Sequence, residues 1–276
     1  MFTINCKGKL LTTERPIVMG IINATPDSFY KGNLENGMEG MLQLATDMLQ
    51  NGATILDIGG QSTKPGSSEI SVATEIERVV PVIAMLHRNF PEAIISVDTF
   101  SSKVATAAVN AGASMVNDVS GGEIDNEMVP VVAALKVPYV CMHMKGTPQN
   151  MQDFANYEDV AKEVLNYFVA KLHQCRRAGI IDVIIDPGFG FAKNAAHNFN
   201  LLKNLSIFQI LNCPLLAGLS RKSTIYKTLG ITAAEALNGT TVLNILALNN
   251  GADILRVHDV KEAMEAILLF EHYKKA

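Results

Sequence analysis

Cysteine is scarce in this sequence. The four that occur, Cys6, Cys141, Cys175 and Cys213, lie far apart without a Cys-x-x-Cys pair. That spacing argues against a thiolate zinc site or a dense disulfide framework and predicts reduced thiols in a cytosol. Charge is sparse as well: Asp, Glu, Lys and Arg make up 18% of 276 residues, the net charge is −4, and no segment clusters Lys and Arg. The electrostatic footprint of a nucleic-acid binder is therefore missing, although a few cations focused in a cleft still attract a small anion. No apolar run approaches the roughly 20 residues that span a bilayer, and the opening MFTINCKGKLL lacks the apolar stretch of a signal peptide. These features predict a cytoplasmic protein with no nucleic-acid and no membrane partner. A Gly-x-Gly-x-x-Gly turn after the first buried-strand pattern is also absent, which weakens a dinucleotide-binding reading.

What is present is apolar and regularly spaced. Hydrophobic residues make up 48% of the chain, enough for a sizeable core and too many for disorder. Phe2, Ile4 and Cys6 alternate before Lys7-Gly8-Lys9, a pattern that reads as a short hairpin and a plausible barrel floor. Eight short apolar runs follow, at 17–22, 54–58, 94–97, 114–116, 138–142, 183–185, 215–219 and 254–257. Between and after them, helical periodicity marks 41–49, 74–86, 102–109, 128–135, 160–172, 199–211, 233–248 and 260–270. Strands with little alternation, each returning through a helix, imply parallel strands covered on their faces. The expected fold is α/β, a single (β/α)8 TIM barrel over residues 1–276 with a short N-terminal β-hairpin; an open doubly wound sheet is the main rival.

In such a barrel the active site gathers at the C-terminal strand ends. Each apolar run here ends in a polar residue: Asn23, Asp57, Asp98, Asn117, His143, Asp186, Ser220-Arg221-Lys222, and Arg256 with His258. Capping and turn formation are the competing explanation for Asp, Asn and Ser at these places. Asp118, Asp259 and Asp57 are read that way, and Ser101 as a helix cap. Asp98, Asn117 and Asp186 directly terminate strands and project towards a common centre, where unpaired carboxylates are costly without a ligand or cation. Their acceptors and amide suit a flat heterocycle with amino and lactam groups; the same three residues also resemble a metal site. Lys222, Arg256 and His258 add donors near the usual phosphate-binding end of a barrel, with Arg256 and His258 sharing a side by strand periodicity. An ion pair for Arg256, a structural imidazole for His258 and a Schiff-base role for Lys222 are the alternatives.

Taken in order, MGIINATPDSF at 19–29, DIGGQSTKPGS at 57–67, SVDT at 96–99, NDVSG at 117–121, MHM at 142–144, DPGFGFAK at 186–193, GLSRKS at 218–223 and RVH at 256–258 resemble the dihydropteroate synthase family of pterin-binding barrels over almost the whole chain. The resemblance implies condensation of 6-hydroxymethyl-7,8-dihydropterin diphosphate with 4-aminobenzoate, giving 7,8-dihydropteroate and pyrophosphate, with Mg²⁺ assisting. It assigns Asp98, Asn117, Asp186 and Lys222 to the pterin pocket and places Arg256 against the ring, with Met142 and Phe191 as apolar walls and Gly218 lining the pocket. Asn23, Arg256 and His258 match diphosphate-binding positions, and Asn23 the metal contact. Phe29, Thr63, Lys64, Pro65 and Ser223 fall near the aminobenzoate pocket.

The family's mechanism is dissociative. Pyrophosphate leaves first, the arylamine captures a pterin-stabilised methylene cation, and Asp98, Asp186, Lys222, Arg256 and His258 form the catalytic set. The resemblance also implies a homodimer formed through late helices. Two departures stand out. Lys64 occupies a position commonly Arg, losing a bidentate fork, and Ser28-Phe29-Tyr30-Lys31-Gly32 replaces Ser-Phe-Ser-Asp-Gly, removing an acid. A folate methyltransferase and a non-catalytic pterin binder are the rival functions.

Overall fold

The computed structural model describes residues 2–25, 34–63, 66–67 and 69–276, with backbone alone at 34–36. Phe29, Lys31, Lys64 and Pro65 lie outside the described residues.

The chain begins with the expected hairpin. β1 (Phe2–Cys6) and β2 (Lys9–Thr13) pair antiparallel from Phe2↔Thr13 to Cys6↔Lys9. Lys7 and Gly8 both have positive φ, 55° and 93°, as a two-residue turn matched to strand twist requires. Eight parallel strands follow: β3 (Ile17–Asn23), β4 (Ile55–Gly59), β5 (Ile94–Asp98), β6 (Met115–Asp118), β7 (Tyr139–Met142), β8 (Val183–Asp186), β9 (Leu216–Ala217) and β10 (Ile254–Val257). They hydrogen-bond in the order β8-β7-β6-β5-β4-β3-β10-β9, and a parallel bridge between Ile185 and Leu215 joins the two ends. This is the expected barrel, not the open sheet.

The strands lack hydrophobic alternation because both faces are buried, yet successive side chains still point opposite ways. Ile17, Met19, Ile55, Ile94, Met115, Val140, Ile184, Leu216 and Ile254 fill the barrel and meet Ile4 and Cys6 of the hairpin. Their neighbours in sequence, among them Val18, Leu56, Ile95, Val116 and Ile185, pack outward against helices. The hairpin is thus the floor of the barrel. It is held there by Asn5 N donating to Asp182 Oδ2 at 2.9 Å and by Lys7 Nζ donating to the Val109 carbonyl at 2.8 Å.

The covering helices are α1 (Leu34–Gln50), α2 (Val72–Asn89), α3 (Ser102–Ala111), α4 (Met128–Leu135), α5 (Val160–Ala178), α6 (Ala195–Lys203), α7 (Ser223–Leu229), α8 (Leu237–Asn249) and α9 (Val260–Lys275). Three sequence expectations are corrected here. The helix expected over 199–211 is the end of α6, which stops at Asn204, followed by a 3₁₀ run over Leu205–Leu211; the Asn204 amide bonds the Asn200 carbonyl and competes for the helix end. α7 was not foreseen, and α8 starts at Leu237 rather than 233. Ser101 occupies the N-cap position of α3 but its side chain makes no capping bond; the Ser102 amide donates instead to Asp125 Oδ2 at 2.8 Å. No described helix is long and apolar enough to cross a membrane.

Candidate active site

Above the apolar floor, the same strand faces turn polar. Two residues beyond Ile55 the side chain is Asp57, four beyond Ile94 it is Asp98, and two beyond Met115, Ile184 and Ile254 it is Asn117, Asp186 and Arg256. Register aligns them: Asp98 lies opposite Asn117, and Met142 opposite Asp186. Period two therefore fixes which polar residues share the barrel mouth.

Arg256 is the hub of this layer. Its Nε donates to Asp57 Oδ2 at 2.7 Å and its Nη2 to Asp98 Oδ2 at 2.5 Å. Asn117 Nδ2 donates to the same Asp57 oxygen at 2.9 Å. Asp57 is fully buried and structural, as expected, but as an anchor rather than a turn former: it holds two of the residues expected to read the ligand. The signal was its inward phase with Ile55. Asp98 Oδ1 is buried and has no hydrogen-bond partner among the described residues, an acceptor awaiting a donor. Burial pushes the Asp98 carboxyl up to about 7 against the pull of Arg256. Burial also works against the Arg256 charge, but Asp57 and Asp98 outweigh it and raise its pKa.

Asp186 and Lys222 form the opposite wall. Asp186 Oδ1 accepts the Gly188 amide at 2.8 Å; burial raises its pKa, with Lys222 the main opposing charge. Lys222 stands at the N-cap of α7, donates to the Phe189 carbonyl, and lies 4.6 Å from the centre of the Phe191 ring. Burial draws its ammonium down to about 8, with Asp186 holding it up. Gly218 keeps this corner open: a Cβ there would sit 3.8 Å from Lys222 Nζ and 4.0 Å from Asp186 Oδ2. Met142 and Phe191 join Phe100, Val119 and Met144 in an apolar cluster.

The remaining expected residues lie around this centre. Asn23 ends β3 and is exposed, Thr63 is half-buried beyond β4, and Ser223 opens α7 next to Lys222. His258 lies past the end of β10, exposed, with Nδ1 2.9 Å from Ser220 Oγ. Asp118 and Asp259 are structural, as expected. Asp118 accepts from the Ser120 and Gly122 amides, the Ser120 hydroxyl and the Tyr139 hydroxyl, while Asp259 pairs with Arg221. For the metal alternative at Asp98, Asn117 and Asp186, two of the three already hold protein partners: Asn117 Nδ2 donates to Asp57 and Asp98 Oδ2 accepts from a guanidinium. Asp98 is paired to Arg256 instead.

The mouth thus presents carboxylate acceptors, an amide, an ammonium and a guanidinium beside an apolar wall, the complement of a flat, polar-edged heterocycle. Residues 19–258 match the family described as pterin binding enzyme. The chain is 41% identical over 267 residues to the dihydropteroate synthase of Escherichia coli K12, covering 96% of this chain and 94% of that protein. It superposes on Yersinia pestis dihydropteroate synthase in a sulfonamide drug complex with a TM-score of 0.93 at 40% identity, covering 100% of both chains. Xanthomonas albilineans dihydropteroate synthase with 4-aminobenzoic acid gives a TM-score of 0.92 at 39% identity, covering 99% of this chain and 98% of that one. The chain belongs to the pterin-binding enzyme family and, within it, to the dihydropteroate synthases.

Proposed function

We propose that the protein joins 6-hydroxymethyl-7,8-dihydropterin diphosphate to 4-aminobenzoate in folate biosynthesis by a dissociative route. The observation that carries this reading is the buried, unsatisfied Asp98 Oδ1 beside Arg256, Asn117 and the Asp186–Lys222 wall. Ring N–H and amino groups of a pterin would satisfy the carboxylates, and Lys222 would donate to its lactam edge. The ring lies along Arg256, and Met142 and Phe191 cover its apolar face. Gly218 leaves room for the ring edge.

The exocyclic C–O bond breaks with its electron pair departing on pyrophosphate, the arylamine nitrogen forms the new C–N bond, and the amine loses a proton. Asp98 and Asp186 place negative potential beside the methylene carbon as positive charge develops there. Asn23, Arg256 and His258 receive the leaving diphosphate, with Ser220 orienting the His258 ring. Thr63 and Ser223 lie on the aminobenzoate side, to which the family resemblance also assigns Phe29, Lys64 and Pro65.

Asn23 suits Mg²⁺ as a single neutral oxygen donor at the strand end. The described residues offer no dedicated cage, and Mg²⁺ commonly keeps its waters and binds through substrate phosphates. When bound there it supplies charge neutralisation to the departing oxygens.

The reaction takes place in the cytoplasm, a setting that suits four free cysteines. The active form is a homodimer built on the late helices, where Leu229, Val242, Leu246, Leu268, Leu269 and Tyr273 are exposed. The dissociative step is tested by the secondary deuterium isotope effect at the methylene carbon. A clear normal effect is expected, whereas an effect near unity contradicts cation formation.

A further inference from the structure

His143 closes β7, a place the barrel reserves for functional residues, yet it takes no part in the cluster around Arg256. Strand alternation turns Met142 inward and His143 outward, where its buried ring meets Tyr167 edge-on with centroids 4.8 Å apart. Its Nδ1 lies 3.0 Å from Nζ of Lys193, itself only 3% exposed. The same Nζ lies 3.0 Å from the Phe191 carbonyl and 3.1 Å from that of Gly188, with the His143 carbonyl farther off at 3.4 Å. Three close acceptors match the three N–H bonds of an ammonium. His143 Nδ1 must then accept, which requires a neutral ring protonated on Nε2. Burial, with Lys193 and Lys145, holds the His143 pKa well below its ordinary value and agrees with that state; burial also draws the Lys193 pKa well below its ordinary value, with Asp186 the charge that opposes it.

The Gly188 and Phe191 carbonyls belong to the segment that shapes the Lys222 wall. Lys222 bonds the Phe189 carbonyl and faces the Phe191 ring. A Cβ at Gly190 would lie 3.2 Å from Lys222 Cδ. The loop that makes these contacts is unusual. Gly188 has φ 71° and approaches so closely that a Cβ would stand 2.1 Å from the His143 carbonyl oxygen. Ala192, a non-glycine residue, is held at φ 49°. Such backbone persists where its surroundings over-determine it.

We propose that Lys193 is a positioning residue of the pterin site. Its ammonium ties the Gly188 and Phe191 carbonyls to His143 and so fixes the loop in the shape that seats Lys222. The inference rests on the reading of this cluster as the pterin pocket.

A double-mutant cycle tests it, with calorimetric affinity for 6-hydroxymethyl-7,8-dihydropterin diphosphate and Mg²⁺ as the readout. Lys193→Gln, which keeps a donor and drops the charge, weakens binding by about tenfold or more in the parent, but by less than about threefold when Lys222 is already Ala. Lys193→Met provides a second variant, and thermal unfolding reports whether each is folded. The same fold-loss in both backgrounds assigns Lys193 to general stability and overturns the proposal, as does failure of both variants to fold. Parent protein that does not bind the pterin diphosphate overturns the reading of the pocket itself, a result distinct from loss of coupling.

Discussion

Arg256 Nε and Asp57 Oδ2 meet at 2.7 Å across 199 residues of sequence, joining the last barrel strand to the second. The same oxygen holds Asn117, so one buried carboxylate sets the position of two groups proposed to face the ligand. Asp57→Asn removes the charge while leaving an acceptor. Arg256 keeps Asp98, so the stability loss falls below that of a fully broken buried pair, at about 1–3 kcal/mol. Turnover falls by about tenfold or more because the guanidinium is no longer held from two sides. Urea unfolding and steady-state kinetics check both, and unchanged kcat/KM contradicts the anchoring role.

Lys222 and Asp186 separate by the kind of loss they cause. Lys222→Ala removes the donor proposed for the pterin's lactam edge, so kcat/KM drops by about 100-fold or more. Asp186→Asn keeps shape and loses charge, and its main effect is weaker pterin binding. Near-parental turnover in the first, or unchanged pterin affinity in the second, rejects the corresponding assignment.

Pterin affinity depends on pH with a definite sign. Asp98 titrates at about 7 in the ligand-free protein because burial raises it. Pterin donors favour the ionised carboxylate, so its pKa is lower in the complex and binding releases a proton. Affinity therefore strengthens as pH rises towards about 7, by at most about tenfold per pH unit from this group. Lys222, drawn down to about 8 by burial, loses its proton above that value and affinity weakens again. Calorimetry across this range, repeated in buffers of different ionisation enthalpy, reads both arms. Affinity that falls steadily from about pH 6 to 7 contradicts the assignment of Asp98 as acceptor.

The floor and the mouth of the barrel are separable. Ile4 is buried in the inner cluster with Met19, Met115 and Ile184, below the polar layer. Ile4→Ala costs about 2–4 kcal/mol by opening a cavity, while kcat per folded molecule stays at the parental value. A loss of kcat without loss of stability contradicts this division.

The barrel and most of its mouth were legible because strand periodicity is local. The apolar runs located all eight strands, and the residues that directly terminate them placed Asp98, Asn117 and Asp186 at a common centre. The structural part of Asp57 was legible, but not what it holds, because its partner Arg256 is remote in sequence. The Lys193–His143 contact was illegible for the same reason: nothing local says that a lysine after Phe191 turns back beneath its own loop. The break between α6 and the 3₁₀ run preserves apolar spacing, so periodicity alone reads through it. Phe29, Lys64 and Pro65 fall outside the described residues, and their assignment rests on resemblance alone.

The most direct test supplies purified protein with 6-hydroxymethyl-7,8-dihydropterin diphosphate and Mg²⁺, with and without 4-aminobenzoate. Pyrophosphate and dihydropteroate are followed in the same reaction. The account predicts dihydropteroate formed in equal amount to pyrophosphate when 4-aminobenzoate is present. Tight binding of the pterin diphosphate with neither product formed would contradict it and leave a pterin-binding protein without synthase activity.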